Sequence, residues 1–421
     1  MTNYIILALC IIVILAYIFD ISSRFSKIPG VILLIALGIT IQLLSEATGF
    51  RMPNLKPLLP VTGTLGLIMI VMEASLDIEL KRNKKELISK SIASALILLA
   101  LFIAIFSFVL VRFFHLPIQV SLLNAIPLGI ISSSIAIPSA SGLTSADKEF
   151  VIYESSFSDI FGIMIFDFIL LNEGSVAGGV LTFTIDGLIT IIIALISTAF
   201  LGYLLHRTSY HVNYVIILTF IIMIYIVAEL INLPALLLIL IFGLVLANNK
   251  FLENSVINRF VDFVKFRSDI GSFKKILGEL TFLVRSFFFI MFGFYTQVRN
   301  LFNPETLLTA FLIVSGIFLL RWLFFKQVLK MASAPMIFFA PRGLITILLF
   351  FSIPAYAITP VISEEVVTLV ILITIIIMTI GNIFQRKSNE APERLILSKD
   401  QDLKPGVVPQ SLERKSQDEQ I

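Results

Sequence analysis

The chain has 421 residues, of which 58% are hydrophobic and 14% charged, whereas soluble domains average roughly 45–50% and about 25%. No soluble fold has an interior large enough for so many apolar side chains, so a cytosolic or secreted globule is excluded. A net charge of +3 argues against nucleic acid as a partner. One cysteine and three histidines exclude a disulfide framework and provide little for a bound metal. The composition predicts an all-α polytopic membrane protein without a cofactor.

Thirteen apolar stretches are long enough to cross about 30 Å of hydrocarbon as helices. They are predicted at 4–19, 28–45, 59–78, 88–111, 118–141, 149–171, 180–205, 213–231, 234–250, 276–297, 305–325, 332–353 and 364–384. Loops rich in Lys and Arg face the cytoplasm. With the N-terminus outside, sixteen basic residues lie in inner loops and four in outer loops (Arg51, Lys56, Arg112 and Arg299). We therefore expect thirteen spans, an outside N-terminus and a cytoplasmic C-terminus.

Two segments beside the spans have a distinct composition. Residues 386–421 are polar, with seven basic and seven acidic side chains, which predicts a disordered cytoplasmic tail after a transmembrane domain at 1–385. The loop 251–275 mixes Phe and Val with basic residues, which predicts a helix on the inner membrane surface. The sequence has no P-loop, so transport driven by ATP is not expected.

Ionisable side chains at membrane depth are costly and mark functional sites by default. The predicted spans contain Glu73, Glu154, Asp159, Asp167, Glu229, Arg285, Arg321 and Arg342. Asp159 is near the midpoint of the sixth span, and Ser155, four residues earlier, shares its helical face. A carboxylate and a hydroxyl at mid-membrane suit a small alkali cation or a proton. The alternative, a carboxylate that only joins neighbouring helices, is disfavoured because its burial is expensive.

Two of the spans are poor continuous helices. The fifth contains Ser132, Ser133, Ser134 and Pro138, and the twelfth contains Pro335, Pro341, Arg342 and Gly343. Since proline interrupts helical hydrogen bonding, we expect unwinding near Ser134–Pro138 and around Pro341; a simple proline kink is the alternative. Each is the fifth span of a six-span block, and an offset of seven spans inverts the second block. The pattern predicts two inverted six-helix repeats with broken helices 5 and 12 crossing at mid-membrane.

Six short motifs occur in order along residues 1–385. They are IPGVILLIALGITI at 28–41, SSSIAIPSA at 132–140, ESSFSDI at 154–160, FGLVLANN at 242–249, FFFIMFGF at 287–294 and PRGLIT at 341–346. Together they resemble the monovalent cation/proton antiporter superfamily, which includes the sodium/proton exchangers. The 132–140 motif is more similar to the glutathione-gated potassium-efflux-like branch.

The resemblance implies a set of roles for the intramembrane residues. Asp159 would bind cation and proton alternately, with Ser155 and the backbone around Ser133 and Ser134 helping to hold the cation. Ser158, which precedes Asp159, is a further candidate for the site. Glu154 and Arg342 would form an ion pair that braces the sixth helix against the twelfth, and Arg321 would be a supporting basic residue. Glu73 would line the cytoplasmic funnel or, alternatively, lie near the headgroups. Arg285 has no family counterpart and is expected to pair with Glu279 or Glu229, and Asp167 is expected near the outer surface.

Two departures from the family pattern affect the expected chemistry. Ser158 precedes Asp159 where the electroneutral branch has Asn and the electrogenic branch a second Asp. One titratable group at the centre predicts one proton per cation. The unwound segment reads Ser134-Ile135-Ala136 where sodium/proton exchangers have Thr-Asp-Pro, which leaves the choice between sodium and potassium open.

The expected function is exchange of sodium, with lithium as a further substrate, for protons by electroneutral alternating access, serving pH homeostasis. A potassium/proton antiporter or potassium-efflux system is an alternative, and an ion channel or an organic-anion symporter is a rival of another class. No enzyme is expected, because HExxH and GxSxG motifs are missing from the sequence. By analogy of fold, helices 1–3 and 8–10 would form a scaffold and dimer face and the others a moving core. A homodimer in a bacterial inner membrane is expected.

Overall fold

The structure is a computed structural model of the chain. The structure describes residues 2–26, 29–48, 58–77, 85–140, 143–171, 176–207, 213–231, 233–248, 263–329 and 334–401. Throughout these ranges the regular structure is helical, with no strand. This confirms the all-α class that the composition predicts.

The helices of the first half follow the predicted spans in order. They are α1 (Thr2–Ser26), α2 (Gly30–Thr48), α3 (Leu58–Asp77), α4 (Lys85–Phe114), α5 (Ile118–Gly129), α6 (Ser133–Ser139) and α7 (Ser145–Leu171), followed by α8 (Val176–Arg207). The fifth predicted span is therefore two short helices, α5 and α6, separated by extended residues 130–132.

The second half repeats this arrangement. It contains α9 (Asn213–Leu230), α10 (Ala235–Ala247), α11 (Phe263–Tyr295), α12 (Val298–Leu301), α13 (Pro304–Phe324), α14 (Ala334–Phe338), α15 (Leu344–Phe351) and α16 (Glu364–Gln401). A π-helical turn, Phe325–Leu329, continues α13, and a 3-10 turn, Ala355–Ala357, precedes α16. The twelfth predicted span is likewise divided, because residues 339–343 between α14 and α15 are not helical.

Three predictions need adjustment. Unwinding of the fifth span falls at residues 130–132 instead of Ser134–Pro138, and Pro138 lies inside α6. From Phe263 onward the predicted surface helix is the beginning of α11, and residues 251–262 lie outside the described part of the chain. The last helix extends to Gln401. Residues 402–421 lie outside the described part of the chain, so disorder of the tail stays a prediction for them.

The apolar helices are suited to a bilayer. By length and composition, six of the described helices are able to cross a membrane, and five apolar helices of 10–17 residues accompany them. Large apolar side chains such as Leu188, Ile192 and Ile196 of α8 are exposed, at helical spacing that places them on one side. In a membrane protein such a face is covered by lipid.

The helices form two groups with reciprocal contacts. In the first group α2 packs on α11 and α3 packs on α10 and α11, with α8 against α10; in the second, α4 packs on α5 and α7, and α13 on α16. Helix α3 is third in the first block and α11 third in the second, so the exchanged α2–α11 and α3–α10 contacts are those expected of inverted repeats. The first group is called the scaffold below and the second the core.

The scaffold depends on a close crossing of α2 and α11. A Cβ atom at Gly38 would overlap the carbonyl oxygen of Ile290, and one at Gly293 would overlap that of Ile35. Small residues let membrane helices approach to backbone contact, and this packing holds helices together where water provides no hydrophobic drive. Both glycines are therefore required at the crossing.

Replacing Gly38 with Ala is expected to destabilise the protein by about 1–3 kcal/mol, the usual cost of overpacking. Gly316→Ala in α13 is the matched control, because a Cβ there meets nothing within 4 Å and alanine favours a helix by about 1 kcal/mol over glycine. Thermal unfolding in detergent should give a lower Tm for Gly38→Ala only. An unchanged Tm for both variants would show that the crossing is looser than described.

Candidate functional site

The two interrupted helices meet inside the core. The backbone N–H of Ser132, in the first break, donates to the carbonyl of Pro341 in the second at 2.9 Å. A Cβ atom at Gly343 would lie only 2.5 Å from the hydroxyl oxygen of Ser132, so glycine is needed for this approach. The first break forms at residues 130–132 because its N–H groups find acceptors outside their own helix, a condition for unwound backbone at membrane depth.

Asp159 of α7 lies beside the first break. Its side chain is buried, and Oδ2 accepts a hydrogen bond from the backbone N–H of Ser133 at 3.2 Å. Oδ1 is also buried but has no hydrogen-bond partner among the described residues. A buried polar atom without a partner is rare in proteins and calls for an explanation such as a bound ion or a functional role.

Several serine side chains lie on α7 and along the first break, near Asp159 in the sequence or in the fold. Ser158 accepts a hydrogen bond from the N–H of Ile131 at 2.9 Å, and Ser155 donates to the carbonyl of Val151 at 2.7 Å, within its own helix. The hydroxyl oxygens of Ser132 and Ser134 are 3.0 Å apart. The structure thus brings Asp159, Ser158 and the backbone of Ser133 together, whereas Ser155 is one turn away along α7.

The carbonyl of Ser134 is released from its helix by Pro138. In an α-helix this carbonyl would accept from the N–H four residues later, but proline has no N–H. The Nη1 atom of Arg285, on scaffold helix α11, lies 3.5 Å from the freed oxygen. This contact replaces the expected pairing of Arg285 with Glu279 or Glu229, and it links the scaffold to the broken helix of the core.

The buried ion pair differs from the expected one. Arg321 of α13, and not Arg342, holds both oxygens of Glu154, with Nη1–Oε1 at 2.9 Å and Nη2–Oε2 at 2.6 Å. Ser94 of α4 donates to the same carboxylate at 2.5 Å, and the Arg321 Nε donates to the carbonyl of Met336 at 2.8 Å. The pair therefore joins α4, α7, α13 and α14, and the prediction of a Glu154–Arg342 pair was wrong.

Arg342 binds backbone instead. Its Nε donates to the carbonyl of Leu128 at the end of α5 at 2.6 Å, and its Nη1 donates to the carbonyl of Ala340 at 3.1 Å. Its backbone N–H donates to the hydroxyl of Thr374 on α16 at 3.0 Å. Because it satisfies carbonyls freed by both breaks, Arg342 holds the crossing together without contacting Glu154.

Three of the residues that build this site are not among those predicted from the sequence. Ser94 completes the shell of Glu154, Thr374 accepts from the second break, and Asn382 donates to the carbonyl of Ser139 at 2.8 Å. Each is a polar residue within an apolar helix, which is a usable signal in membrane proteins. The predicted spans hold many such residues, however, and only the helix arrangement selects these three.

Two acidic candidates lie elsewhere. Glu73 is half-buried on scaffold helix α3, with its carboxylate toward Gly278 of α11, so it does not belong to the core helix that carries Asp159. Asp167 lies eight residues after Asp159 on α7, about 12 Å further along the axis, where its charge interacts with that of Glu229. The central position of Asp159 is thus not shared by another described carboxylate.

An apolar helical bundle with two broken helices crossing beside buried charged side chains is the architecture of an ion-coupled secondary transporter. The profile of the sodium/hydrogen exchanger transmembrane family matches residues 10–386. The chain belongs to this family, whose members transport cations and protons in membranes. No curated protein sequence matches the chain significantly.

Solved structures with the same fold include a sodium/proton antiporter, MjNhaP1 from Methanocaldococcus jannaschii. Its structure at pH 8 matches with a TM-score of 0.63 at 17% sequence identity, covering 91% of this chain and 96% of the other. A structure of the same antiporter from an electron-microscopy map matches with a TM-score of 0.62 at 18% identity, covering 96% and 100%. These matches confirm the fold expected from the sequence motifs.

Proposed function

We propose that the chain exchanges sodium for protons, one for one, at Asp159 by alternating access. The observation that carries this proposal is the buried Oδ1 of Asp159, which has no partner among the described residues while Oδ2 is held by the N–H of Ser133. One oxygen is fixed by the protein and the other is available to a proton or a cation.

Competition at one carboxylate suffices to couple two gradients. A negative charge at membrane depth is unfavourable. The site therefore changes from facing one side of the membrane to facing the other when a proton or a cation neutralises Asp159. Ser158 and the carbonyls near the first break would complete the oxygen ligands that a hard cation prefers. Exchange follows because the proton and the cation occupy the same oxygen in turn.

One titratable group at the centre predicts an electroneutral cycle. Ser158 occupies the position before Asp159 and carries no charge, so one proton would be exchanged for one monovalent cation. In proteoliposomes with a pH gradient, sodium should dissipate the gradient at a rate that does not change when the membrane potential is clamped. A transport current that reverses with the sodium gradient at zero potential would contradict one-to-one exchange.

Potassium is the second candidate substrate, because the segment SSSIAIPSA resembles the potassium-efflux-like branch. Sodium, lithium, potassium and rubidium chloride should be added in turn to the same proteoliposomes. Sodium and lithium are expected to release protons, with little response to rubidium. A response to potassium at equal or lower concentration than sodium would assign the potassium/proton alternative. A flux that does not saturate with cation concentration would indicate a channel.

The proposal includes an orientation and an assembly. The sixteen-to-four distribution of basic loop residues supports an outside N-terminus and a cytoplasmic C-terminus. We place the protein in a bacterial plasma membrane, as a homodimer that contacts its partner through the scaffold. The orientation is tested by labelling cysteines in the loops from outside intact cells. The homodimer is tested by cross-linking in membranes.

A further inference from the structure

A small cavity lies within the core, behind the crossing of the broken helices. It measures about 20 Å³, which is room for one water molecule or one small ion. Helices α4, α5 and α13 and both breaks contribute to its wall, which is mainly apolar and includes Leu98, Phe102 and Ile317. Its polar side chains are those of Ser158, Arg321 and Arg342.

The polar side chains around this cavity offer hydrogen-bond donors. Arg321 and Arg342 are nine-tenths or more buried, with exposed fractions of 2% and 3%, and guanidinium groups donate without accepting. The Nε and Nη1 atoms of Arg342 have backbone acceptors, whereas Nη2 has none among the described residues. The Ser158 oxygen already accepts from Ile131, so its own hydrogen is available to donate.

The charges around the cavity are unbalanced. Glu154 neutralises Arg321 through the 2.6 Å ion pair, but none of the described carboxylates lies within salt-bridge distance of Arg342. The charges of both Arg321 and Glu154 reach Arg342, but Glu154 is already held by Arg321, so the three groups together keep one excess positive charge. A buried charge normally has a partner, since isolated ions cost several kcal/mol to remove from water.

We propose that this cavity is a binding site for a small monovalent anion, of the halide class, held by Arg342 with Arg321 and Ser158. A halide is a spherical acceptor, which suits a small cavity whose three polar side chains are donors and carry one excess positive charge. It would supply the missing counter-charge of Arg342. Larger anions such as gluconate and sulfate would not fit the cavity volume. The anion site adjoins the cation site at Asp159, because Ser158 is proposed for both, whereas Arg342 and Arg321 belong to the anion site alone.

Thermal unfolding of the purified full-length protein in matched sodium salts tests the proposal. At constant sodium concentration and ionic strength, chloride and bromide should raise Tm by about 2 °C or more relative to gluconate, because a ligand that binds only the folded state stabilises it. Arg342→Gln should lose this halide-dependent shift. Arg285→Gln, the same change at an arginine that does not line the cavity, should keep it.

Crystals of the wild-type protein soaked in sodium bromide provide a direct measurement that is independent of variant folding. An anomalous peak is expected between the side chains of Arg342 and Ser158. The proposal is overturned if Tm is equal in chloride and gluconate, if the halide shift persists in Arg342→Gln, or if no bromide peak falls in the cavity. The last result would assign the cavity to water.

Discussion

Replacing Asp159 with Asn is expected to reduce cation-dependent proton exchange to the level of vesicles without protein. Asn cannot be deprotonated, so proton and cation no longer compete at this site and the two gradients are uncoupled. Folding should be preserved, because the amide oxygen can still accept from the N–H of Ser133, the bond now made by Oδ2 at 3.2 Å. Removing a buried carboxylate also removes its desolvation cost, so Tm should be equal or higher.

Asp167→Asn is the matched control for this experiment. It makes the same chemical change on the same helix, at a carboxylate whose charge interacts with that of Glu229 and not with the crossing. We expect it to keep exchange, with sodium dependence close to that of the wild-type protein. If Asp159→Asn exchanges normally while Asp167→Asn does not, the site lies nearer that end of α7.

Replacing Glu154 with Gln should produce the largest loss of stability among single substitutions in the core. The change leaves the Arg321 guanidinium, 2% exposed, without its counter-charge. Breaking a buried ion pair from one side costs about 3–5 kcal/mol. The measurement is thermal unfolding in detergent, where Tm should fall well below that of the wild-type protein.

A Glu→Gln change in an exposed pair provides the control. Glu86 and Lys90 of α4 form an ion pair of 2.8 Å with side-chain exposures of 84% and 47%, and exposed pairs contribute little because water screens them. Glu86→Gln should therefore leave Tm unchanged. Combining Glu154→Gln with Arg321→Met should recover part of the loss, because the uncompensated charge is then gone. Equal Tm values for Glu154→Gln and Glu86→Gln would mean that the buried pair does not stabilise the core.

The position of the site along the chain was accessible to sequence reasoning. The length of an apolar stretch predicts a span independently of the neighbouring helices. Pro341 in Pro341-Arg342-Gly343 interrupts its own helix, because proline has no backbone N–H to donate. Asp159 stands out because few ionisable residues occur in the spans. These features depend on one segment at a time, which is why the helices and the second break agree with expectation.

The partners of the charged side chains were not accessible in the same way. Arg321 lies in core helix α13 and Arg342 in the second break, and only the packing of α13 against α4 and α16 decides which guanidinium reaches Glu154. Likewise, the first break lies at residues 130–132, earlier than the predicted Ser134–Pro138. It forms there because the N–H groups of residues 131–133 find acceptors in Ser158, Pro341 and Asp159. Such choices depend on contacts between distant segments, which a single sequence does not specify.

Proton release on cation binding tests the central claim most directly. The purified wild-type protein in weakly buffered solution near neutral pH should release about one proton per protein when sodium chloride is added, because the cation displaces the proton from Asp159. Asp159→Asn should release none, while Asp167→Asn should release as much as the wild-type protein. Undiminished sodium-dependent release from folded Asp159→Asn would contradict the assignment of cation and proton binding to Asp159.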